Sequence, residues 1–149
     1  MELLTVKMLN SCIERQLNKE MARFGLTYTQ ATIIGMLSEN SGRKIFQKTL
    51  EEMLGLRRPT VSGILLRMEK DGMIKNEPDP GDKRFKVITL TEEAKGIAEH
   101  VRERVNAISA LFLSGFSDKE LKTLENYLNR MIRNGLDHEN HTDWRNETI

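Results

Sequence analysis

The chain has 149 residues, a net charge of +1 and one cysteine, which leaves room for one domain and excludes a disulfide-stapled scaffold. No apolar run is long enough to cross a bilayer and the charged N-terminal stretch does not fit a secretory signal, so we expect a cytoplasmic protein without a membrane partner. The charge is unevenly distributed, because residues 43–86 hold 11 Lys and Arg against 7 Asp and Glu.

The first predicted element is a long amphipathic helix. Apolar residues recur three or four positions apart from Leu9 to Phe24, a spacing that places them on one helical face. We expect this helix to cover residues 3–24 and to end before Gly25.

A capping box predicts where the second helix begins. In the sequence T-x-x-Q, the Thr27 side chain accepts one amide hydrogen of the first turn and the Gln30 side chain reaches back to another. The helix should end at Asn40-Ser41-Gly42. Its inward positions are expected to be Ala31, Ile33, Ile34 and Leu37.

A short β-prone piece and a compact third helix follow. The piece is KIFQ, residues 44–47, and we expect it to form a short strand. The helix is centred on Leu50, Met53 and Leu54, and Gly55 closes it.

The segment RRPTVSGILLRMEKDGMI, residues 57–74, predicts a helix with one apolar face and one polar face. Because proline is tolerated only in the first turn of a helix, Pro59 places the start near Arg57 or Arg58, and Asp71-Gly72 ends the helix. The inward positions are Val61, Ile64, Leu65 and Met68. The positions that face away from the core are Thr60, Ser62, Gly63 and Arg67.

A β-hairpin is predicted next. Residues 73–77 form one strand and residues 85–90 its antiparallel partner, with the turn P-D-P-G-D-K-R between them. The tip therefore carries Lys83, Arg84 and Lys86, and Asp82 is well placed to fix the Arg84 guanidinium by hydrogen bonding.

Two long helices complete the chain. Thr91 caps the first of them, and Ser117 with Glu120 forms the capping box of the second. Their apolar stripes leave more apolar face than one protomer covers, which predicts a helical homodimer interface. The stripes consist of Ala94, Ile97, Ala98, Val101, Val105, Ile108 and Phe112, and of Leu121, Leu124, Leu128, Met131 and Ile132. Residues 137–149 are expected to be a flexible acidic tail.

The order of helix, short strand, helix, turn, polar-faced helix and hairpin is that of a winged helix-turn-helix module. We therefore predict a mainly α protein with a small β-hairpin wing. Residues 27–90 would bind DNA, and residues 1–26 and 91–136 would form a helical dimerisation part. A helix fits the major groove of B-DNA and a basic ribbon fits the adjacent minor groove, so we expect double-stranded DNA as partner. The candidate DNA-binding residues are Arg57, Arg58, Pro59, Thr60, Ser62, Gly63, Arg67, Asp82, Lys83, Arg84 and Lys86.

Other interpretations of the same residues stay open. The outward face of the helix is also what a merely solvated helix shows, and D-P-G-D-K-R is also an ordinary polar turn. A winged-helix module that binds another protein and no nucleic acid has the same pattern. We find no Gly-rich phosphate loop, nucleophile elbow or H-E-x-x-H, so neither an enzyme nor a cofactor is predicted.

Three runs resemble the multiple antibiotic resistance regulator (MarR) family in order and spacing. They are LTYTQATIIGML, LEEMLGLRRPTVSGILLRMEKDGMI and the D-x-R wing GDKRFKVITLTEEA. The resemblance covers roughly residues 5–135 and is most specific over 50–96. It implies an obligate homodimer with intertwined terminal helices on a pseudo-palindromic operator, and usually repression relieved by a ligand or an oxidant. By that likeness Asp82 and Arg84 are the wing pair.

The chain also departs from the family pattern. Phe85 stands where a small residue is usual, and Gly63 stands where a longer polar side chain is common. Cys12 lies 16 residues before Tyr28, closer than the reactive cysteine of peroxide-sensing members, and no cation is obviously placed to lower its pKa. A redox-responsive regulator through Cys12 therefore stays an alternative.

The effector is expected to be a small apolar or aromatic acid. The family resemblance implies such a ligand, and a cleft lined by Met and Phe near the junction of the long helices and the DNA-binding part would admit it. A metal site is the other alternative. Its candidate ligands lie in the predicted tail and are His138, Glu139, His141 and Asp143.

Overall fold

The computed structural model describes the backbone of residues 2–141 and the side chains of residues 2–138. Within that part of the chain there are six α helices and one two-stranded antiparallel sheet. In chain order they are α1 Leu3–Met21, α2 Tyr28–Glu39, α3 Gln47–Leu54, α4 Arg58–Lys70, β1 Ile74–Pro78, β2 Lys86–Leu90, α5 Glu92–Phe112 and α6 Asp118–His141. The predicted fold class is confirmed.

The chain divides into two compact units, Met1–Ile108 and Ser109–Ile149. The first unit holds α1 to α4, the hairpin and most of α5, and the second holds α6. Among the described residues no helix combines the length and the apolar character that a membrane span needs.

The core of the first unit lies where α2, α4, the hairpin and α5 meet. Each contributes apolar side chains at its own period, three or four residues apart in the helices and alternate residues in the strands. Burying one such side chain stabilises the fold by roughly 1.5–3 kcal/mol. The side chains with almost no exposed surface are Met21, Ile33, Ile34, Leu50, Val61, Leu65, Met68, Ile74, Ile88 and Ala94.

The predicted helix starts are confirmed by their hydrogen bonds. The backbone N–H of Gln30 donates to Thr27 Oγ1 at 3.2 Å, and the backbone N–H of Thr27 donates to the side-chain Oε1 of Gln30 at 2.9 Å. At the start of α6, the Ser117 amide donates to Glu120 Oε2 at 2.8 Å. Pro59 lies in the first turn of α4, where its missing N–H removes no helical bond.

The predicted strand at KIFQ is wrong. Only Phe46 forms an isolated antiparallel bridge, with Val87, and the Ile88 amide donates to the carbonyl of Ile45 at 2.9 Å. The strand cannot continue because Gln47 already has helical geometry as the first residue of α3. Phe46 is therefore both the residue that bridges to the sheet and the N-cap residue of α3.

Two helix ends also differ from expectation. The α-helix α1 ends at Met21, and Ala22–Phe24 form a tighter 3-10 turn before Gly25 adopts a positive φ of 69°. At the other end, α6 continues through residues 137–141, which were expected to begin the tail. Residues 142–149, the rest of the predicted flexible tail, lie outside the described residues.

Thr91 joins the end of α4 to the start of α5. Its hydroxyl donates to the carbonyl of Gly72 at 2.7 Å and accepts the Ala94 amide at 3.2 Å, which confirms the predicted cap. Its own amide donates to the carbonyl of Met73 at 3.1 Å. One residue thus bonds both to the turn that follows α4 and to the first turn of α5.

Neighbouring leucines on α4 provide a test of the core. Leu65 is 2% exposed and Leu66 is 69% exposed. We expect Leu65→Ala to lower the free energy of unfolding by about 2–5 kcal/mol, because it leaves a cavity. The matched control Leu66→Ala should stay within about 0.5 kcal/mol. Urea denaturation followed by circular dichroism measures both, and equal effects would contradict the assigned helix face.

Candidate nucleic-acid interface

The outer face of α4 is exposed and consists mostly of polar or small residues, with Leu66 as an exposed apolar exception. Burial of Val61, Leu65 and Met68 turns the opposite side of the helix to solvent, since these three positions lie within one narrow stripe. Every predicted contact residue of this segment is exposed: Arg57, Arg58, Pro59, Thr60, Ser62, Gly63 and Arg67. The structure therefore brings these residues to one surface, at and beyond the start of α4.

The side chain of Arg67 has a partner on its own helix. Its Nε donates to Asp71 Oδ2 at 3.3 Å, one helical turn further on, while 72% of the side chain stays exposed. An exposed pair of this kind contributes little to stability. The pair holds the Arg67 guanidinium near the C-terminal end of α4, about two and a half turns from Arg58.

At the tip of the wing, Asp82 and Arg84 form a forked ion pair. Arg84 Nε lies 3.0 and 3.2 Å from the two oxygens of Asp82, and Arg84 Nη2 lies 2.7 Å from Oδ2. The Arg84 amide also donates to Asp82 Oδ1 at 3.1 Å. The side-chain and backbone hydrogen bonds from Arg84 lower the pKa of Asp82. The carboxylate thus aligns a guanidinium whose side chain is 84% exposed.

At the base of the wing, a nearly buried carboxylate is paired with a lysine. Asp79 is 7% exposed, and its Oδ1 lies 2.6 Å from Lys44 Nζ. The same oxygen accepts the Gly81 amide at 3.3 Å, and the Asp79 amide donates to the carbonyl of Phe85 at 2.8 Å. The pKa of Asp79 is lowered, first by the hydrogen bond from Lys44 and then by that from Gly81, against an opposing effect of desolvation. The pair ties the turn of the hairpin to the segment that precedes α3.

An open cleft of about 630 Å³ separates the wing from α3 and α4. Cationic side chains line it from both sides, and the ring of Phe85 packs edge-on against Phe46 with centroids 5.9 Å apart. The Lys48 side chain makes no hydrogen bond or ion pair with the part of the chain that the structure describes. The cleft is lined by Phe46, Gln47, Lys48, Glu51, Arg58, Asn76, Arg84, Phe85 and Lys86.

Several of these residues were missed by sequence reasoning. Gln47 is predicted in a strand, Lys48 has no predicted role, and Asn76 is predicted in a strand with no stated face. Their positions depend on the bridge between Phe46 and Val87, which joins residues far apart in the chain. Phe85 departs from the family pattern, in which a small residue is usual, but its contact with Phe46 is a tertiary contact that no local pattern reveals.

Two other predicted sites lie away from this surface or outside the described residues. Cys12 is half-buried on α1, and contrary to expectation Arg15 Nη2 donates to its sulfur at 3.4 Å. Of the four candidate metal ligands only the His138 side chain is described. Among the side chains of residues 2–138 no group of three or more His, Cys, Asp or Glu is arranged to hold a metal ion.

The chain matches known transcription regulators in sequence. A family model described as MarR family matches residues 24–84. An HTH-type transcriptional regulator of Bacillus subtilis, YybA, is 30% identical over 117 residues, which are 78% of this chain and 77% of that protein.

Solved structures with the same fold are also found. The transcription regulator MarR from Oenococcus oeni is 26% identical, with a TM-score of 0.78 over 87% of this chain and 96% of that one. MepR from S. aureus, solved in complex with DNA, is 21% identical, with a TM-score of 0.84 over 90% of this chain and 98% of that one. At that identity the second likeness shows the fold alone.

The Asp79–Lys44 pair predicts a pH-dependent stability. Because the pKa of Asp79 is lower in the folded chain, the pair stabilises the fold above about pH 4 and this contribution is lost as the pH falls further. Asp79→Asn should therefore be less stable than the unaltered chain at pH 7, and the difference should shrink as the pH falls towards 3. Urea denaturation at a series of pH values measures it.

The control for this experiment is Glu77→Gln. Glu77 is exposed on β1 and makes no ion pair with the described residues, so its substitution should change stability little at pH 7. A constant difference between the unaltered chain and Asp79→Asn at all pH values would contradict the role given to the charge.

Proposed function

The chain belongs to the MarR family of transcription regulators, and from that premise we propose that it binds an operator in double-stranded DNA sequence-specifically as a homodimer. The observation that carries the proposal is that Arg58, at the start of the exposed polar face of α4, and the braced Arg84 border one cleft of the same unit. A duplex presents a major groove, which admits a helix, beside a minor groove, which admits a basic side chain.

In this proposal α4 lies in the major groove. Arg57 and Arg58, at its N-terminal end, contact phosphates and set the register of the protein on the duplex. The base edges are contacted by Thr60, Ser62 and Arg67. Pro59 and Gly63 present no long side chain on the outer face and so allow the helix to approach the bases closely.

The wing enters the adjacent minor groove. Arg84 is held in one direction by Asp82, so it loses little side-chain freedom when it binds a narrow groove of negative potential. Lys83 and Lys86 are exposed beside it and contact phosphates. Lys48 and Arg58, on the opposite side of the cleft, are placed to contact the backbone that runs between the two grooves.

The homodimer is supported by apolar surface that one chain leaves exposed. In the second unit, an open groove of about 720 Å³ runs along α6 and the turn before it and is lined mainly by leucines and Ile132. On α1, exposed apolar side chains include Leu3, Leu4, Met8 and Leu9. Surfaces of this kind mark protein interfaces. A two-fold dimer would place two α4 helices on half-sites about one helical turn apart.

The proposal includes repression, in the form that the family resemblance implies, and release by a small aromatic acid. A groove of about 250 Å³ between α2 and α5 in the first unit suits such a ligand. Its walls are Tyr28, Ala31, Val101 and Val105 rather than the Met and Phe expected from the sequence, and Arg102 lies at its edge. The apolar walls would hold the ring, and the Arg102 guanidinium, which lies 2.8 Å from Oε1 of Glu99 in the same groove, would exchange that partner for the carboxylate of the ligand.

The wing provides the first test of DNA binding. Arg84→Ala should weaken binding by about 1–3 kcal/mol, because the substitution removes the guanidinium from the minor groove. The probe is the duplex that the unaltered protein enriches from a random library, titrated by fluorescence anisotropy at fixed salt. Lys7→Ala, which removes an exposed cation from α1, is the control. Equal affinity of Arg84→Ala and the unaltered protein would remove the wing from the mechanism.

The homodimer has a separate test. Leu124 is exposed in the groove on α6, and Leu124→Glu places a charge on that apolar surface. We expect the unaltered chain to sediment as a dimer and Leu124→Glu to sediment as a monomer with weakened operator binding. Met53→Glu, at an exposed position on α3, should remain dimeric. A monomeric unaltered chain that still binds the full operator would exclude the dimer.

A further inference from the structure

Gln47 connects α3 to the outer face of α4 through one side-chain amide. Its Nε2 lies 2.8 Å from Ser62 Oγ, 3.0 Å from Glu51 Oε1 and 3.4 Å from the carbonyl oxygen of Arg58. The Gln47 side chain is half-buried, whereas Ser62 is exposed on the surface proposed to face DNA. A residue outside α4 therefore contacts one of its predicted base-reading side chains.

The partners of Gln47 determine the direction of each hydrogen bond. A carboxylate and a backbone carbonyl only accept, so the nitrogen of the Gln47 amide, and not its oxygen, must face this group of atoms. That nitrogen cannot accept a hydrogen bond. Ser62 Oγ is consequently the acceptor in its contact with Gln47, and the Ser62 hydroxyl hydrogen is not used in that contact.

The hydroxyl hydrogen of Ser62 has no acceptor within the described part of the chain. A serine hydroxyl that rotates freely donates or accepts equally well and so distinguishes poorly between bases. Here the amide of Gln47 occupies one lone pair on the α3 side. The hydrogen and the one remaining lone pair therefore lie away from Gln47, towards the exposed surface, which favours donation over acceptance there.

We infer that Gln47 is a positioning residue that makes Ser62 a hydrogen-bond donor to DNA. At one position of each half-site, Ser62 would then favour bases that present an acceptor atom in the major groove. In the major groove guanine presents N7 and O6, adenine N7 and thymine O4, whereas cytosine presents the N4 amino donor. Cytosine should be disfavoured at that position of the half-site. The inference rests on the proposed function and adds a specificity determinant on α3.

The experiment compares base preference rather than affinity alone. Purified full-length protein is mixed with a duplex library that has a randomised central region, and the bound duplexes are sequenced. For the unaltered protein we expect cytosine to be depleted about three- to tenfold at one base of each half-site, the effect of one neutral hydrogen bond. Gln47→Leu, which keeps the bulk and removes the amide, should abolish this depletion.

A double-mutant cycle tests whether Gln47 acts through Ser62. Ser62→Ala should lower affinity for the preferred duplex about three- to tenfold, and Gln47→Leu should do the same in the unaltered background. In the Ser62→Ala background, Gln47→Leu should have almost no further effect. Thr60→Ala is the matched control, because Thr60 is an exposed hydroxyl residue on the same helix without a contact to Gln47. Its effect should add to that of Gln47→Leu.

An exchange of donor and acceptor gives a readout that a purely structural role would not change. Gln47→Glu combined with Glu51→Gln keeps the charge and size of the pair but places an acceptor beside Ser62. The Ser62 hydroxyl would then donate to position 47 and turn its lone pairs outward. We expect the preference at that base to shift towards cytosine. This pair also carries the test if thermal unfolding shows that Gln47→Leu does not fold.

Two outcomes would overturn the inference, and they are distinguishable. If the unaltered protein enriches a sequence but Gln47→Leu and the exchanged pair keep its preference, or lose affinity equally for all sequences, Gln47 does not direct Ser62 and the proposed function stands. If the unaltered protein enriches no sequence, the proposed function fails and the inference fails with it.

Discussion

Burial of one face of α4 is the constraint on which the rest of the site depends. Val61, Leu65 and Met68 pack into the core, with Ile64 half-buried beside them, and the geometry of a 3.6-residue turn then assigns the opposite side of the helix to the surface. Rotating α4 to expose other residues would bring apolar side chains into water at a cost of roughly 1.5–3 kcal/mol each. The polar surface is as well defined as the core beneath it.

The turn of the wing is held by electrostatic contacts, whereas the base of its strands is buried through Ile74, Ile88 and Leu90. Its two strands have only a few buried side chains, so the turn between them depends on Asp79 at its base and Asp82 at its tip. The two carboxylates have different roles. Asp79 is almost buried and joins the hairpin to Lys44, whereas Asp82 is half-exposed and bonds to both the side chain and the backbone amide of Arg84.

Local patterns predicted most of the fold, because their chemistry acts over three or four residues. Both capping boxes, the start of α4 at Pro59 and the buried face of α4 belong to this class. The missed features join distant residues: Lys44 and Asp79 are 35 positions apart, and Gln47 and Ser62 are 15 apart. Phe46 shows why β propensity failed at KIFQ. Its bridge to Val87 depends on where the hairpin packs, and the next residue, Gln47, is the first residue of α3.

The hydroxyl of Thr91 has a mechanical consequence. Since it bonds at once to the Gly72 carbonyl and to the Ala94 amide, the first turn of α5 cannot move without either breaking a hydrogen bond or displacing the residue that follows α4. The end of α4 and the start of α5 are therefore joined by the hydrogen bonds of one side chain, in addition to the core that the two helices share.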